Sequence, residues 1–224
     1  MFQISIIRRS INRPMLLLTL LAVGVPTVAL TQGVEVISPA QQKQLLTNPG
    51  SSSAGSANPD VTIVEYFDYN CPFCRELAPE LKSLIRDDRK VAVVYKDWPI
   101  FGGVSVYAAR EALAAEWQGK YLIAHDTLIN GPRLTQESQV DAELRAAGVD
   151  MAALAKDRQT HAAQIDALLG RNDGEAHSLH IRGTPGIVVD RQVLPGTVDL
   201  NGLKLLVDRA RHDPSSRTGS LVRP

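Results

Sequence analysis

Hydrophobic positions change their period along the chain. Val61–Phe67 (VTIVEYF) is an apolar run rich in β-branched and aromatic residues, which predicts a buried strand. Between Pro72 and Arg86 the period becomes helical, with Leu77, Leu81, Leu84 and Ile85 on one face. Val91–Tyr95 (VAVVY) predicts a second strand, closed by Asp97-Trp98-Pro99. From Val104 to about Leu169 the pattern is helical again. It predicts helices near 104–117, 119–129, 136–147 and 151–169, punctuated by Gly131-Pro132, Gly148-Val149-Asp150 and Gly170. A further helix is expected over Gly174–His180, a strand over Gly186–Asp190, a short partner strand over Gln192–Leu194 and a last helix over Leu200–Arg211. Strands alternating with helices imply an α/β sheet. The expected organisation is a first sheet part at 60–100, an inserted helical block at 101–173, a second sheet part at 174–212 and a flexible polar tail at 213–224. No internal repeat is evident.

The N-terminus has the pattern of an export signal over residues 1–30. Arg8, Arg9 and Arg13 precede the apolar run Met15–Val25, and Ala29 offers a small residue for cleavage. An uncleaved anchor is the alternative, although the run is short against the roughly 20 apolar residues a span needs. Ser38-Pro39-Ala40-Gln41 reads as a helix start, with Ser38 as cap, Pro39 at the first turn and Gln41 completing a capping box. The segment 31–46 is too short to argue a coiled coil and reads as a dimerisation arm or a tether. Residues 48–59, rich in Gly, Ser and Asn, read as a flexible linker.

Lys+Arg and Asp+Glu balance at 24 each, which argues against a nucleic-acid partner. Only two cysteines are present, so a disulfide-dense scaffold is excluded. Both fall in Cys71-Pro72-Phe73-Cys74, where a strand hands over to a helix. Unpaired N–H groups and the helix dipole at that terminus favour a thiolate at Cys71. The thiolate is the nucleophile of disulfide exchange. Cys74, one turn on, can reach back to resolve a mixed disulfide. A purely structural bridge is a poorer reading, because so short a loop removes only about 2 kcal/mol of chain entropy. Zinc or copper bound by Cys71 and Cys74, with or without His177 and His180, is a second reading. His125 and His161 fall in helical patterns as ordinary helix residues, and Arg86–Lys90 reads as a solvated helix end.

Three further features support redox chemistry. Glu65 is an acid inside an apolar strand, so burial should raise its pKa and let it exchange a proton with Cys74. Lys96 ends the neighbouring strand and is expected to face Glu65. Gly183-Thr184-Pro185-Gly186 opens a strand, where Pro185 is a candidate for a cis peptide bond.

The segments VEYFDYNCPFC, KDWPIFGG and RGTPGIVVD, in this order, resemble the DsbA-like thioredoxin-fold oxidoreductases, and among them the exported ScsC-type subgroup. The resemblance spans about 61–210. It implies a thioredoxin fold with a helical insertion, Cys71 as nucleophile, Cys74 as resolving thiol, Pro185 as a cis-proline beside the disulfide, and Thr184 presenting its backbone to substrate. Glu65 matches that family's buried acid. Phe73 departs from DsbA, which carries His there, and implies a less depressed Cys71 pKa and a less oxidising couple. The expected partners are proteins bearing thiols or disulfides, and a membrane redox partner that resets the pair: a quinone-linked oxidase or a membrane reductase. No cofactor and no resident metal are called for, and the expected location is the periplasm or another exported site. Tyr69, Phe73, Trp98 and Phe101 are candidates for an apolar rim that accepts unfolded chains. A metal-handling module and a non-catalytic chaperone on the same fold stand as alternatives.

Overall fold

The computed structural model describes residues 35–47 and 49–212. The expected signal at 1–30 and the tail at 213–224 lie outside the described residues. In chain order come β1 (Glu35–Val36), α1 (Pro39–Thr47), β2 (Ser53–Gly55), β3 (Val61–Phe67), α2 (Pro72–Asp87) and β4 (Val91–Asp97). Then follow α3 (Gly103–Ala114), a 3₁₀ turn over Ala115–Gln118, α4 (Tyr121–Asn130), α5 (Glu137–Ala146), α6 (Met151–Thr160) and α7 (Ala162–Ser178). β5 (Gly186–Val189), β6 (Gln192–Pro195) and α8 (Leu200–His212) complete the chain.

One sheet has the order β1-β6-β5-β3-β4-β2. β3, buried along nearly its whole length, lies between β4 and β5, as a strand buried on both faces must. β3 and β4 are parallel and joined through α2, while β5 lies antiparallel on the other side of β3. β5 and β6 form a tight hairpin in which Asp190 adopts φ 56°, the left-handed geometry that two-residue hairpin turns require.

Alternation along β3 divides the core. Ile63 and Phe67 point into the larger cluster, with Val93 and Tyr95 of β4, Leu77, Leu81 and Leu84 of α2, and the insertion. Val64 and Tyr66 point the other way, to Trp98, Leu45 of α1, and Ala176 and Leu179 near the end of α7. Since β3 and β4 run in register, residues 65 and 95 share one face, and 66 and 96 the other.

Three expectations change. The segment read as an arm or tether is docked on the sheet from Glu35 on: β1 pairs with β6, and Ile37 and Leu45 are buried in the core. The stretch read as a linker carries β2, which pairs antiparallel with β4. Glycine is what fits there: Gly55 has φ +98°, and a Cβ on it would lie 2.5 Å from the Val91 carbonyl oxygen. The helix expected to stop at Gly170 instead breaks at His161 and then runs to Ser178. Ile165, Leu168, Asn172 and Ala176 keep a buried stripe across Gly170 and Gly174, and that packing outweighs the roughly 1 kcal/mol helix penalty of each glycine. The expected boundary at 173/174 therefore falls inside α7. The capping box forms as expected: Gln41 N–H donates to Ser38 Oγ (3.2 Å), and Ser38 N–H to Gln41 Oε1 (2.9 Å).

Candidate active site

The β3–α2 turn is held by its own polar residues. Asp68 Oδ1 accepts the Asn70 N–H (2.7 Å), its carbonyl accepts the Cys71 N–H (3.1 Å), and its Oδ2 accepts the Phe101 N–H (2.9 Å). Asn70 ties the turn to the insertion, accepting from Leu134 N–H (3.0 Å) and donating to Ser105 Oγ (3.2 Å). Arg75 donates to the carbonyls of Tyr69 (2.9 Å), Leu128 (3.0 Å) and Gly131. Both sides of the turn are thus fixed to the helical block before any reacting group is considered.

Cys71 is the residue that caps α2, in extended geometry, with Pro72 opening the helix. Both cysteines are free thiols and both are buried. The Cys71 thiol donates to the carbonyl oxygen of Thr184 (3.1 Å), across from the turn and next to the Thr184–Pro185 peptide bond, which is cis. The Cys74 thiol is the largest influence on Cys71, donating to its thiolate and bringing its pKa down to about 6. Burial opposes this, while Thr184 and the N–H groups of Cys74 and Phe73 support it. Cys74 goes the other way: burial, the hydrogen bond to Cys71 and the nearby Glu65 charge all push its pKa far up. One helix turn therefore separates a sulfur that ionises near neutrality from one that holds its proton.

Glu65 lies on β3 on the face that carries α2, 2% exposed. Burial first, then the charges of Cys71 and Asp97, push its pKa up to about 8. Lys96 does not face it. Lys96 is in register with Tyr66, on the opposite face, and its Nζ lies 3.2 Å from Glu175 Oε2, which also accepts the Tyr66 hydroxyl (3.1 Å). Strand alternation is the reason, since the neighbour of Glu65 is Tyr95.

Of the four rim candidates, Phe73 and Phe101 are each 56% exposed, whereas Tyr69 and Trp98 are core residues. Tyr69 packs edge-on against Phe67, and Trp98 against Tyr66. Ile100, 43% exposed, joins the apolar surface and was not anticipated. A groove of about 740 Å³ runs beside Pro72, lined by Asn70, Arg75, Phe101, Val104 and Leu134, with Arg133 at its edge. Among the described residues no three His, Cys, Asp or Glu side chains gather as a metal site. His177 and His180 have Nδ1 next to the Asp173 carbonyl (2.8 Å) and Glu35 (3.1 Å) respectively, rather than joining the cysteines in a four-ligand site.

Sequence reasoning also missed Asp97, Tyr121 and His125 behind the cysteines. Asp97 Oδ2 accepts the Tyr121 hydroxyl (2.7 Å), and His125 sits buried among Phe67, Tyr69, Tyr95 and Tyr121. The available signal was Asp97 at the end of an apolar strand, at the parity of Tyr95.

Residues 62–208 match the model of the DSBA-like thioredoxin domain family. The chain belongs to that family. Its fold is accordingly the thioredoxin fold with an inserted helical block, and this DsbA-like protein is a thiol–disulfide oxidoreductase. A thioredoxin-like oxidoreductase from Silicibacter pomeroyi DSS-3 superimposes with a TM-score of 0.74 at 37% identity, covering 79% of this chain and 99% of that one. The thiol–disulfide exchange protein alpha-DsbA2 from Wolbachia pipientis gives 0.71 at 25% identity, covering 76% and 92%. In sequence, the probable disulfide bond formation protein D of Bacillus anthracis is 24% identical over 216 residues, 90% of this chain and 98% of that protein.

Proposed function

We propose that this DsbA-like protein is exported and donates its Cys71–Cys74 disulfide to protein thiols, as an oxidant of moderate strength. In the forward direction a substrate thiolate attacks Cys71 Sγ. The Cys71–Cys74 bond breaks, its electron pair stays on Cys74, and Cys74 takes a proton from Glu65. A second substrate thiol, as thiolate, attacks the substrate sulfur of the mixed disulfide. Cys71 leaves as thiolate, the substrate is oxidised by two electrons, and the enzyme is left reduced, with Cys74 as thiol and Cys71 as thiolate. A membrane-bound, quinone-linked oxidase would then withdraw those electrons.

The observation that carries this reading is geometric: Cys71 caps α2 with its thiol 3.1 Å from the Thr184 carbonyl beside the cis Thr184–Pro185 bond, and Cys74 lies buried one turn on. Stabilising the thiolate stabilises the reduced enzyme and so makes the disulfide the stronger oxidant. A Cys71 pKa of about 6 falls between thioredoxin, about 7, and DsbA, about 3.5. Support for a polypeptide substrate comes from the exposed rings of Phe73 and Phe101 and from the Thr184 carbonyl beside the reacting sulfur, which an extended chain can use as an acceptor. Support for export is the arginine-flanked apolar run before Ala29. Among the described residues no helix is long and apolar enough to cross a membrane.

Two measurements test it. A Cys74→Ala variant, whose Cys71 thiolate can attack a substrate disulfide but cannot release the mixed disulfide internally, should accumulate covalent complexes with disulfide-bearing proteins that dissolve on adding dithiothreitol. Equilibration against glutathione should place the couple between about −270 mV, thioredoxin, and about −120 mV, DsbA. A potential at or below the thioredoxin end would reverse the direction of electron flow. Absence of any trapped complex would overturn the exchange reading itself.

A further inference from the structure

Glu65 does not stand alone behind the cysteines. Asp97, at the end of β4, is on the same face of the sheet, one step diagonally from Glu65 across the parallel pair in which Glu65 opposes Tyr95 and Phe67 opposes Asp97. Both carboxyl groups are buried, each 2% exposed. Asp97 Oδ2 accepts the Tyr121 hydroxyl, but its Oδ1 is buried with no hydrogen-bond partner. Two buried carboxyl groups on one small patch cannot both be charged cheaply.

We propose that Asp97 and Glu65 form a coupled carboxyl pair that holds one proton at neutral pH, and that Asp97 is a positioning residue fixing how readily Glu65 gives a proton to Cys74. This deepens the exchange reading above and rests on it. When Cys71–Cys74 opens, the proton passes from Glu65 to the Cys74 sulfur, so the pair becomes doubly negative. Proton uptake from solvent then restores one proton to the pair. When the disulfide re-forms, the Cys74 proton returns to the pair and one proton leaves to solvent, so the pair again holds one. No electrons move through either carboxyl group.

The surroundings bear on both members. Glu65 faces Cys71, Cys74 and Tyr95. Asp97 faces Tyr121 from α4, Tyr69 and Asp68 from the turn before α2, and Glu65 itself. From α7, Asn172 donates to the Asp97 carbonyl (2.9 Å), and its Oδ1 has no hydrogen-bond partner. His125 of α4 packs against Tyr95 and Tyr121, and burial brings its pKa down to about 4, so it adds no cation at neutral pH. Lys96 is committed to Glu175 on the other face. No cation thus offsets the pair within this set. Burial, opposed by the Tyr121 and Tyr69 hydroxyls, brings Asp97 up to about 7, one step below Glu65.

The test is a carboxyl titration of the oxidised protein, in which no thiol ionises, by ¹³C NMR of labelled Glu and Asp side chains, beside the pH profile of disulfide exchange. Glu65 should titrate in two coupled steps that Asp97 shares. Asp97→Asn should lower the upper apparent pKa by at least about one unit and move the corresponding limb of the exchange profile to lower pH. Tyr121→Phe removes the donor that favours the Asp97 carboxylate, so it should move the same limb to higher pH. Opposite shifts from two neighbouring substitutions are not what loosened packing gives. In Glu65→Gln the limb should vanish, and adding Asp97→Asn should change nothing more. Glu65 titrating in one step, unmoved by either substitution while the wild type exchanges disulfides normally, would overturn the coupling and leave the exchange reading standing. Loss of exchange in the wild type would overturn the exchange reading instead.

Discussion

Glu65 and Lys96 occupy adjacent strands, yet the sheet lies between their side chains. Glu65 shares its face with Cys71 and Cys74, and Lys96 shares the other with Glu175 and Tyr66. The acid behind the cysteines is therefore kept neutral by burial rather than charged by an ion pair. An acid whose folded pKa is raised binds its proton more tightly folded than unfolded. Its contribution to stability is complete below its ordinary value of 4.5 and is lost as the pH climbs through about 8. Glu65→Gln cannot ionise and escapes that loss. Urea unfolding of the oxidised proteins should give similar stabilities at pH 4 and an advantage for the variant at pH 9 on the order of 5 kcal/mol. A constant difference between the two proteins across that range would mean the carboxyl group is not held neutral.

The Lys96–Glu175 pair should matter to the fold and not to the chemistry. Lys96 is fully buried and Glu175 nearly so, with the Tyr66 hydroxyl as a further donor to Glu175. Lys96→Met removes the ammonium 3.2 Å from the buried Glu175 carboxylate, at a cost of about 3–5 kcal/mol. Denaturant unfolding should register that loss, while the pH profile of exchange keeps its midpoints. A shifted profile with unchanged stability would place Lys96 in the site after all.

Much of this was legible in the sequence because it is local. Cys71-Pro72 at a strand-to-helix junction fixes the reacting sulfur at a helix terminus, and the Ser38–Gln41 spacing fixes the start of α1. What was illegible depends on partners far along the chain. Nothing in residues 53–55 announces a strand, because the β4 edge that they cover supplies the hydrogen bonds. Gly170 reads as a stop until α3 and the sheet are there for α7 to pack against. The face of Lys96 follows only from the β3–β4 register, and so does the approach of Asp97 to Glu65. Tyr69 and Trp98 look like rim residues by their place beside the motif, but the inserted block and α7 bury them.

Cys71 should be alkylated at neutral pH and Cys74 should not. With its pKa lowered to about 6, labelling of Cys71 by iodoacetamide should rise through pH 6 and level off near neutrality. The largest support for the thiolate is the Cys74 thiol. In Cys74→Ala the labelling midpoint should therefore move upward, because burial remains and its main opponent is gone. Cys74 in the folded protein should stay unlabelled until the chain unfolds, as mass spectrometry of the modified peptides will show. A midpoint near 9 in the wild type would remove the basis of the mechanism.

Phe73 is the residue best placed to show how the potential is set. It occupies the second position between the cysteines, and its ring is 56% exposed, so a polar replacement meets little packing cost. A histidine there starts from an ordinary pKa near 6.5, and the adjacent thiolate raises it. Its cation would support the Cys71 thiolate, which the Cys74 thiol, Thr184 and the helix N–H groups now stabilise. Such a charge-assisted contact is worth about 1.5–3 kcal/mol. With 1.4 kcal/mol equal to about 30 mV in this two-electron couple, Phe73→His should make the enzyme more oxidising by roughly 30–60 mV. The histidine loses its charge at alkaline pH, so the shift should be larger at pH 6 than at pH 9. Phe73→Leu keeps the apolar character and should leave the potential in place. Equilibration with glutathione at both pH values tests all of this. An equal shift in the Leu variant would show that the ring, not the missing charge, tunes the couple.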